Sequence, residues 1–308
     1  MADRVAVLLA TFEGARFLPE QLASLAAQTH TDWVLYWRDD GSQDGTPALV
    51  ENAAGPRLRP CPGPAMRLGP AANFLFLLRE AVRDPENAFF AFCDQDDVWH
   101  EEKLARALAR LRREGLEAED GTPLLYCAAA ELVDEHLRPL GLLRPPLLPP
   151  AFPASLTENI ATGCTIVLDR HAAERIAAST PPPELMHDWW SYSLVSAAGG
   201  RIIIDPEPVL RYRQHGTNAI GARRSAVARA LRALARGAGP FMAIFRAHVR
   251  GLRQNAALLS PAAQGEIAAI AEALESGARG RFRLLFRRGL RRRHPLETLL
   301  FRLWLLIG

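Results

Sequence analysis

The sequence predicts an α/β fold with a mostly parallel central sheet flanked by helices, followed by a helical, basic C-terminal extension. Three observations carry this prediction. Short continuous apolar runs alternate with amphipathic helical patterns as far as about residue 220, as strands and covering helices do in doubly covered sheets. Three of the runs stop at a polar or acidic cluster, where ligands bind beyond the carboxyl ends of strands. From residue 223 the composition turns to Ala, Leu and Arg with helical periodicity.

In chain order, Val5–Ala10 reads as a buried parallel strand, and Leu18, Leu22 and Leu25 give the following helix one apolar face. Trp33–Trp37 is the next strand and stops at the turn Asp39-Asp40-Gly41-Ser42. Ala48–Asn52 extends a short helix, and proline-rich Gly55–Pro64 reads as loop. Phe74–Val82 is helical by pattern. Ala88–Cys93 is a strongly apolar strand running straight into Asp94. Glu101–Arg113 is amphipathic, with Leu104, Leu108 and Leu111 on one face. Leu124–Ala128, Thr165–Leu168 and Arg201–Ile204 are further strands, and proline-rich Leu140–Pro153 is expected to be irregular. Gly237–Pro240 and Ser276–Gly280 separate helices in the extension. The expected division is an α/β domain over residues 1–220, with a nucleotide site expected beyond its strand ends, and a helical, Arg-rich region over 221–308.

Composition bounds the function classes. With 49% apolar and 23% charged residues, the chain is globular rather than disordered. Its net charge of +3 conceals an asymmetry: residues 1–220 hold 20 basic and 30 acidic side chains, residues 221–308 hold 17 and 4. A basic segment on an acidic body suggests a separate anionic partner for the tail. In Arg279–Arg293 arginine interleaves with Phe and Leu, and an apolar stretch with Trp304 follows; this suits a helix at an anionic membrane surface, or a bundle packed on the α/β domain with a solvated basic face. Nucleic acid is not expected as a partner, because no aromatic platform or reading motif accompanies the arginines. The four cysteines show no zinc spacing, and Cys93, Cys127 and Cys164, set in apolar runs, fit buried thiols in a reducing compartment. With no secretory signal pattern and no run of ~20 apolar residues, the expected location is the cytoplasm, soluble or peripheral on the inner face of the cell membrane.

The chemistry concentrates in acidic clusters. In Asp94-Gln95-Asp96-Asp97, Asp94 and Asp96 would face one way on an extended segment, with Asp97 joining if the chain turns. Hard divalent cations take such carboxylates together with substrate phosphates. Asp40, at a strand end, is a candidate acceptor for base or ribose hydrogen bonds. Asp188 lies beside Trp189 and Trp190, an apolar surround that raises a carboxylate's pKa and suits it to act as a base. Arg211 or Arg213 is a candidate for phosphate oxygens, and His215 for a metal.

Together these segments resemble a known family. Ala10-Thr11-Phe12-Glu13-Gly14, Gln21…Leu25…Gln28-Thr29, Asp39 to Thr46 and Asp94 to Trp99 are similar to family 2 glycosyltransferases of the GT-A fold. Thr162-Gly163-Cys164-Thr165, His187-Asp188-Trp189-Trp190 and Tyr212 to Asn218 narrow the resemblance to a bacterial rhamnosyltransferase-like branch acting in surface-polysaccharide assembly. It covers about residues 4–220.

The resemblance implies that Ala10, Thr11, Phe12, Glu13 and Asp40 lie along the nucleotide base and ribose, with Asn73 close by. It matches Asp94 and Asp96 to the DXD motif and makes Asp96 and Asp97, with His215, the expected contacts of Mg²⁺ or Mn²⁺. Asp188 matches the catalytic base, and Arg213 is grouped with the donor-binding residues. Members often carry Tyr-Asn where this chain has Phe12-Glu13. The implied reaction is inverting transfer of a sugar, L-rhamnose from dTDP-rhamnose or a hexose from a UDP- or GDP-sugar, to a saccharide or lipid-linked acceptor. Two other classes compete: a sugar-phosphate nucleotidylyltransferase, for which Thr11–Arg16 is a poor phosphate loop, and an inactive membrane-surface module, against which Asp94, Asp96, Asp97 and Asp188 stand.

Overall fold

The computed structural model describes residues 3–64, 66–215 and 237–307. Among them, nine strands form one sheet in the order β3-β2-β1-β4-β8-β6-β9-β5, with β7 paired to β6. The strands are β1 (Arg4–Thr11), β2 (Trp33–Asp39), β3 (Leu58–Pro60), β4 (Asn87–Cys93), β5 (Val98–Trp99), β6 (Leu124–Val133), β7 (Pro139–Leu143), β8 (Val167–Asp169) and β9 (Arg201–Arg213). The run β3-β2-β1-β4 is parallel, as expected for β1, β2 and β4. Beyond it the sheet is mixed: β8 runs antiparallel to both β4 and β6, whereas β6 and β9 are parallel.

The helices are α1 (Leu18–Ala26), α2 (Thr46–Ala54), α3 (Pro70–Ala81), α4 (Lys103–Glu117), α5 (Arg170–Ala178), α6 (His187–Ala197), α7 (Ala238–Gln254), α8 (Pro261–Glu275), α9 (Gly277–Leu284) and α10 (Pro295–Ile307). Strand alternation divides the apolar side chains between two layers. Ala6 and Leu8 of β1, with Phe90 and Phe92 of β4, pack with α3, α5 and α6. Val5, Val7 and Leu9, with Ala91 and Cys93, pack with α1 and α4. Because both faces are covered, these strands read as unbroken apolar runs. Leu104, Leu108 and Leu111 are buried, as the spacing of that helix predicts.

Three expectations need correction. Gly55–Pro64 contains the edge strand β3, where Pro60 needs no further ladder partner. Leu140–Leu143, expected to be irregular, belong to β7, which pairs with β6 and places Pro139 in its first position. The strand beginning at Arg201 does not stop at Ile204. It continues to Arg213 through register shifts at Asp205–Pro208, where two prolines hide the continuation from pattern reading. In the extension, the break at Ser276–Gly280 narrows to Ser276, between α8 and α9, and Gly277 beside it has a left-handed φ of 67°.

The described extension is no loose tail. Met242, Phe245, Leu252, Phe301 and Trp304 share one core with Trp190 and Leu194 of α6. Residues 223–236, expected to be helical, lie outside the described residues.

Candidate active site

The parallel register aligns three strand ends. Leu9 pairs with Cys93 and Thr11 with Asp39, so the segments after β1, β2 and β4 emerge side by side. They border a cleft of about 260 Å³ whose wall includes Ala10, Thr11, Phe12, Asp40, Asn73, Asp94, Asp96, His187 and Asp188.

Asp39 organises the first two segments. One of its oxygens accepts from the hydroxyls of Thr11 (2.8 Å) and Ser42 (2.6 Å), the other from the backbone N–H groups of Gly41 and Ser42. Asp40 faces the cleft and also clamps the approach to α3, accepting from Leu68 N at 2.9 Å, Gly69 N at 2.6 Å and the Arg38 guanidinium. Burial alone would raise its pKa, but these donors outweigh burial and hold it below the ordinary carboxylate value. Asn73 donates to Arg38 O at 3.3 Å, and its buried Oδ1 has no donor among the described residues.

Phe12 N donates to Gln95 Oε1 and Gln95 Nε2 donates to Phe12 O, both at 2.9 Å. This reciprocal pair ties the loop after β1 to the loop after β4. It also requires Gly14, where a Cβ would lie 2.3 Å from Gln95 Oε1. The Arg67 guanidinium stacks 3.5 Å over the Phe12 ring, making a cationic, aromatic wall. Glu13, by contrast, is exposed and turned away from the cleft: its φ is 48°, and its carboxylate accepts from Gln43 N at 2.8 Å.

The four positions after β4 diverge. Asp94 and Asp96 face the cleft. Asp96 Oδ2 lies 2.7 Å from His215 Nε2, and the imidazole packs on Phe17 with ring centroids 4.9 Å apart. Asp97 is fully buried and turns inward. Its Oδ1 accepts from Arg213 N at 3.2 Å, and one carboxylate oxygen of Asp97 gathers with a ligand atom of Asp94 and the Cys164 thiol within 4.8 Å of one another. Thus Asp96 and His215 come together, while Asp97 joins Asp94 on the inner side. Burial, then the charges of Asp96 and Asp188, raise Asp94 to about 7; burial and the charges of Asp96 and Asp94 also push Asp97 upward. Crowded carboxylates held above their ordinary pKa are what a divalent cation relieves, and the hard oxygen donors suit Mg²⁺ or Mn²⁺.

Arg213 does not reach the cleft. Its guanidinium donates to Asp96 O at 2.8 Å and Glu135 O at 2.6 Å, bonds the Glu20 carboxylate and stacks on Phe17. It therefore braces the backbone that carries Asp96. Gly216, Thr217 and Asn218 of the same motif lie outside the described residues.

Asp188, in the first turn of α6, completes the wall. Its Oδ1 accepts from Trp189 N at 2.6 Å and its Oδ2 from Asn159 Nδ2 at 2.9 Å. Burial raises its pKa to about 6, moderated by these two bonds, so the carboxylate is ionised at neutral pH but basic for an aspartate.

Three residues to which sequence reading gave no role belong to the site. Asn159 stands 29 positions before its partner, and no local signal announces it. His187 packs on Phe74 and Phe92, with centroids 4.1 and 4.8 Å apart. Among the described residues neither of its ring nitrogens has a hydrogen-bond partner, and burial drops its pKa to about 3, leaving a neutral imidazole with one donor and one acceptor at the cleft. Lys103, the sole lysine, is fully buried with Nζ 3.1 Å from the Trp99 ring centroid. Burial lowers it to about 8, opposed by Cys93, Cys164, Asp97 and Asp94, so it is a cation set behind the acidic cluster.

A covered α/β sheet with acidic side chains converging at its aligned strand ends is the arrangement of a GT-A glycosyltransferase. The comparisons agree. S. aureus TarS 1–349 in complex with UDP-GlcNAc superposes with a TM-score of 0.57 at 13% identity, over 98% of this chain and 90% of that one. Its complex with UDP gives 0.54 at 17% identity, over 86% and 70%. The family model "Glycosyl transferase family 2" matches residues 6–176, more than half of the chain. This chain belongs to glycosyl transferase family 2 and is a glycosyltransferase.

Among its relatives, dTDP-rhamnosyl transferase RfbG of Shigella flexneri is 26% identical over 237 residues, covering 70% of this chain and 75% of that protein. An uncharacterised glycosyltransferase of Rickettsia prowazekii, RP339, is 22% identical over 68% of this chain and 64% of its own length.

Proposed function

We propose that this protein is an inverting, divalent-cation-dependent transferase that moves L-rhamnose from dTDP-rhamnose onto a surface-polysaccharide or lipid-linked saccharide acceptor. The observation that carries the reading is the convergence of Asp94, Asp96 and Asp188 on one cleft. Two carboxylates suit a cation and a diphosphate, and the third is an ionised base with its own positioning bonds. The likeness to a dTDP-rhamnosyl transferase supports rhamnose as the sugar.

In this mechanism Asp188 Oδ accepts the proton of an acceptor hydroxyl. The hydroxyl oxygen forms a bond to the anomeric carbon as the bond from that carbon to the diphosphate oxygen breaks, and the electron pair leaves with the nucleoside diphosphate. A single displacement with no enzyme nucleophile inverts the anomeric centre. Asp94, Asp96 and His215 would hold the cation, whose chemistry is to neutralise charge developing on the leaving diphosphate. Asp97, behind them, anchors the turn through Arg213 N. Thr11, Phe12, Asp40 and Asn73 line the base and ribose end. His187 offers its ring nitrogens, unpartnered among the described residues, to hydroxyls of the sugar or acceptor.

A lipid-linked acceptor would hold the enzyme at the inner face of the cell membrane. Among the described residues no helix is long and apolar enough to cross a membrane. The decisive test is a panel of dTDP-, UDP- and GDP-sugars assayed by thermal shift and donor hydrolysis with Mg²⁺ or Mn²⁺. Selective stabilisation and turnover with dTDP-rhamnose are expected; preference for a UDP- or GDP-hexose would reassign the donor.

A further inference from the structure

Helix α10 is apolar on two sides. Leu300, Phe301, Trp304 and Leu305 are buried in the shared core. Leu296, Leu299, Leu303 and Leu306, spaced by three, four and three residues, form a second stripe that faces outward, with Leu299 66% and Leu303 46% exposed. A surface helix with one buried face ordinarily presents polar residues on the other. Helix α9 packs against α10, and Phe282 and the following Phe286 are 54% and 74% exposed, with their rings in edge contact. These apolar groups stand among arginines: residues 277–307 hold nine, against the single acid Glu297. Arg287, Arg292 and Arg293 are paired with Glu266, Glu297 and Glu158. Arg279, Arg283, Arg288, Arg291 and Arg302 are exposed and make no ion pair among the described residues.

We propose that the outward leucine face of α10, with Phe282 and Phe286, is a docking surface for an anionic phospholipid bilayer, seated parallel to the membrane plane. Charge selects this occupant. An apolar stripe alone would serve equally for a second copy of the chain, but two copies would bring the same unpaired arginines together, whereas anionic headgroups neutralise them. Leucine and phenylalanine side chains enter the acyl boundary while the guanidinium groups stay at phosphate level. The helix is too short to cross, so it lies on the surface and its inner face keeps the enzyme body attached. The proposal supplies a partner for the lipid-linked-acceptor reading, but its test needs no donor, acceptor or turnover, so either can fail alone.

The experiment is co-sedimentation of the full chain with vesicles of phosphatidylglycerol and phosphatidylethanolamine, against vesicles of phosphatidylcholine alone. Binding only to the anionic vesicles is expected, with release at high salt. In Leu299→Glu/Leu303→Glu the partition coefficient should fall about tenfold or more, because two acyl contacts are replaced by charges that headgroups repel. Both positions are exposed, so the melting temperature should hold; should it drop, Arg283→Gln/Arg288→Gln/Arg291→Gln tests the charged half and should weaken binding comparably. Equal binding to phosphatidylcholine, no binding to anionic vesicles, or unchanged binding in the variants would overturn the proposal. So would a dimer in light scattering that the glutamate variant converts to monomer.

Discussion

The side-chain amide of Asn159 donates to Asp188 Oδ2 at 2.9 Å, fixing one oxygen of the carboxylate while Trp189 N holds the other. The bond favours the ionised form, so Asn159 works against the burial that raises Asp188 to about 6. The acceptor's proton can be taken only by the ionised carboxylate. kcat/KM should therefore rise with pH through about 6 and level off above it. In Asn159→Ala the carboxylate loses a donor to its charged form, so the same limb should move to higher pH, with the largest loss of rate on the acid side. A pH–rate profile of both proteins checks this; an unmoved limb would separate Asn159 from the base.

Gly14 allows the two cleft loops to meet. In Gly14→Ala the new methyl group would lie 2.3 Å from Gln95 Oε1 and push apart the Phe12–Gln95 pair. Nucleoside diphosphate affinity, measured by calorimetry, should weaken about tenfold or more, since overpacking costs ~1–3 kcal/mol. Circular dichroism should remain that of the folded protein. Undiminished affinity would show that the pair does not shape the donor site.

Removing divalent cations should suppress transfer, and Mg²⁺ or Mn²⁺ should restore it. In His215→Ala the cation concentration giving half activity should rise about tenfold or more, as for the loss of a ligand or of its oriented partner. The 2.7 Å contact with Asp96 Oδ2 is the basis of this expectation. Full turnover after rigorous chelation would remove the metal from the mechanism.

Lys103 provides a test of the buried charge arrangement. It is the sole lysine and is fully buried over Trp99. An amine-acylating reagent should leave it unmodified in the native protein, apart from any label at the chain's amino terminus, and should modify it after unfolding. Peptide mass spectrometry reads the difference; native labelling of Lys103 would mean that the acidic cluster has no such sealed cation behind it.

Much of this architecture is visible in the sequence because burial on both faces of β1 and β4 leaves unbroken apolar runs that end where the chemistry begins. Thr11, Asp40 and Asp94 are found that way, each at or just after a strand's carboxyl end. What stayed hidden depends on contacts between distant segments. Nothing local distinguishes an arginine that would hold phosphate from Arg213, which instead grips Asp96 O, Glu135 O and Glu20. Nor does spacing show that Asp97, adjacent to Asp96, turns inward to Arg213 N. Pro206 and Pro208 disguised the middle of β9, and the prolines around β7 disguised an edge strand. The tail's arginines and leucines were evident; that one face of α10 packs into the core while the other stays exposed became clear only from the fold.

The central claim is that Asp188 is the base of a single-displacement sugar transfer. Its most direct measurement is the turnover of Asp188→Asn with donor and acceptor, alongside donor affinity of the same protein. Transfer should fall by about 10²–10⁴-fold, the contribution of a positioned general base, while the donor binds within a few-fold of the parent protein. Turnover close to that of the parent, with donor binding intact, would contradict the account.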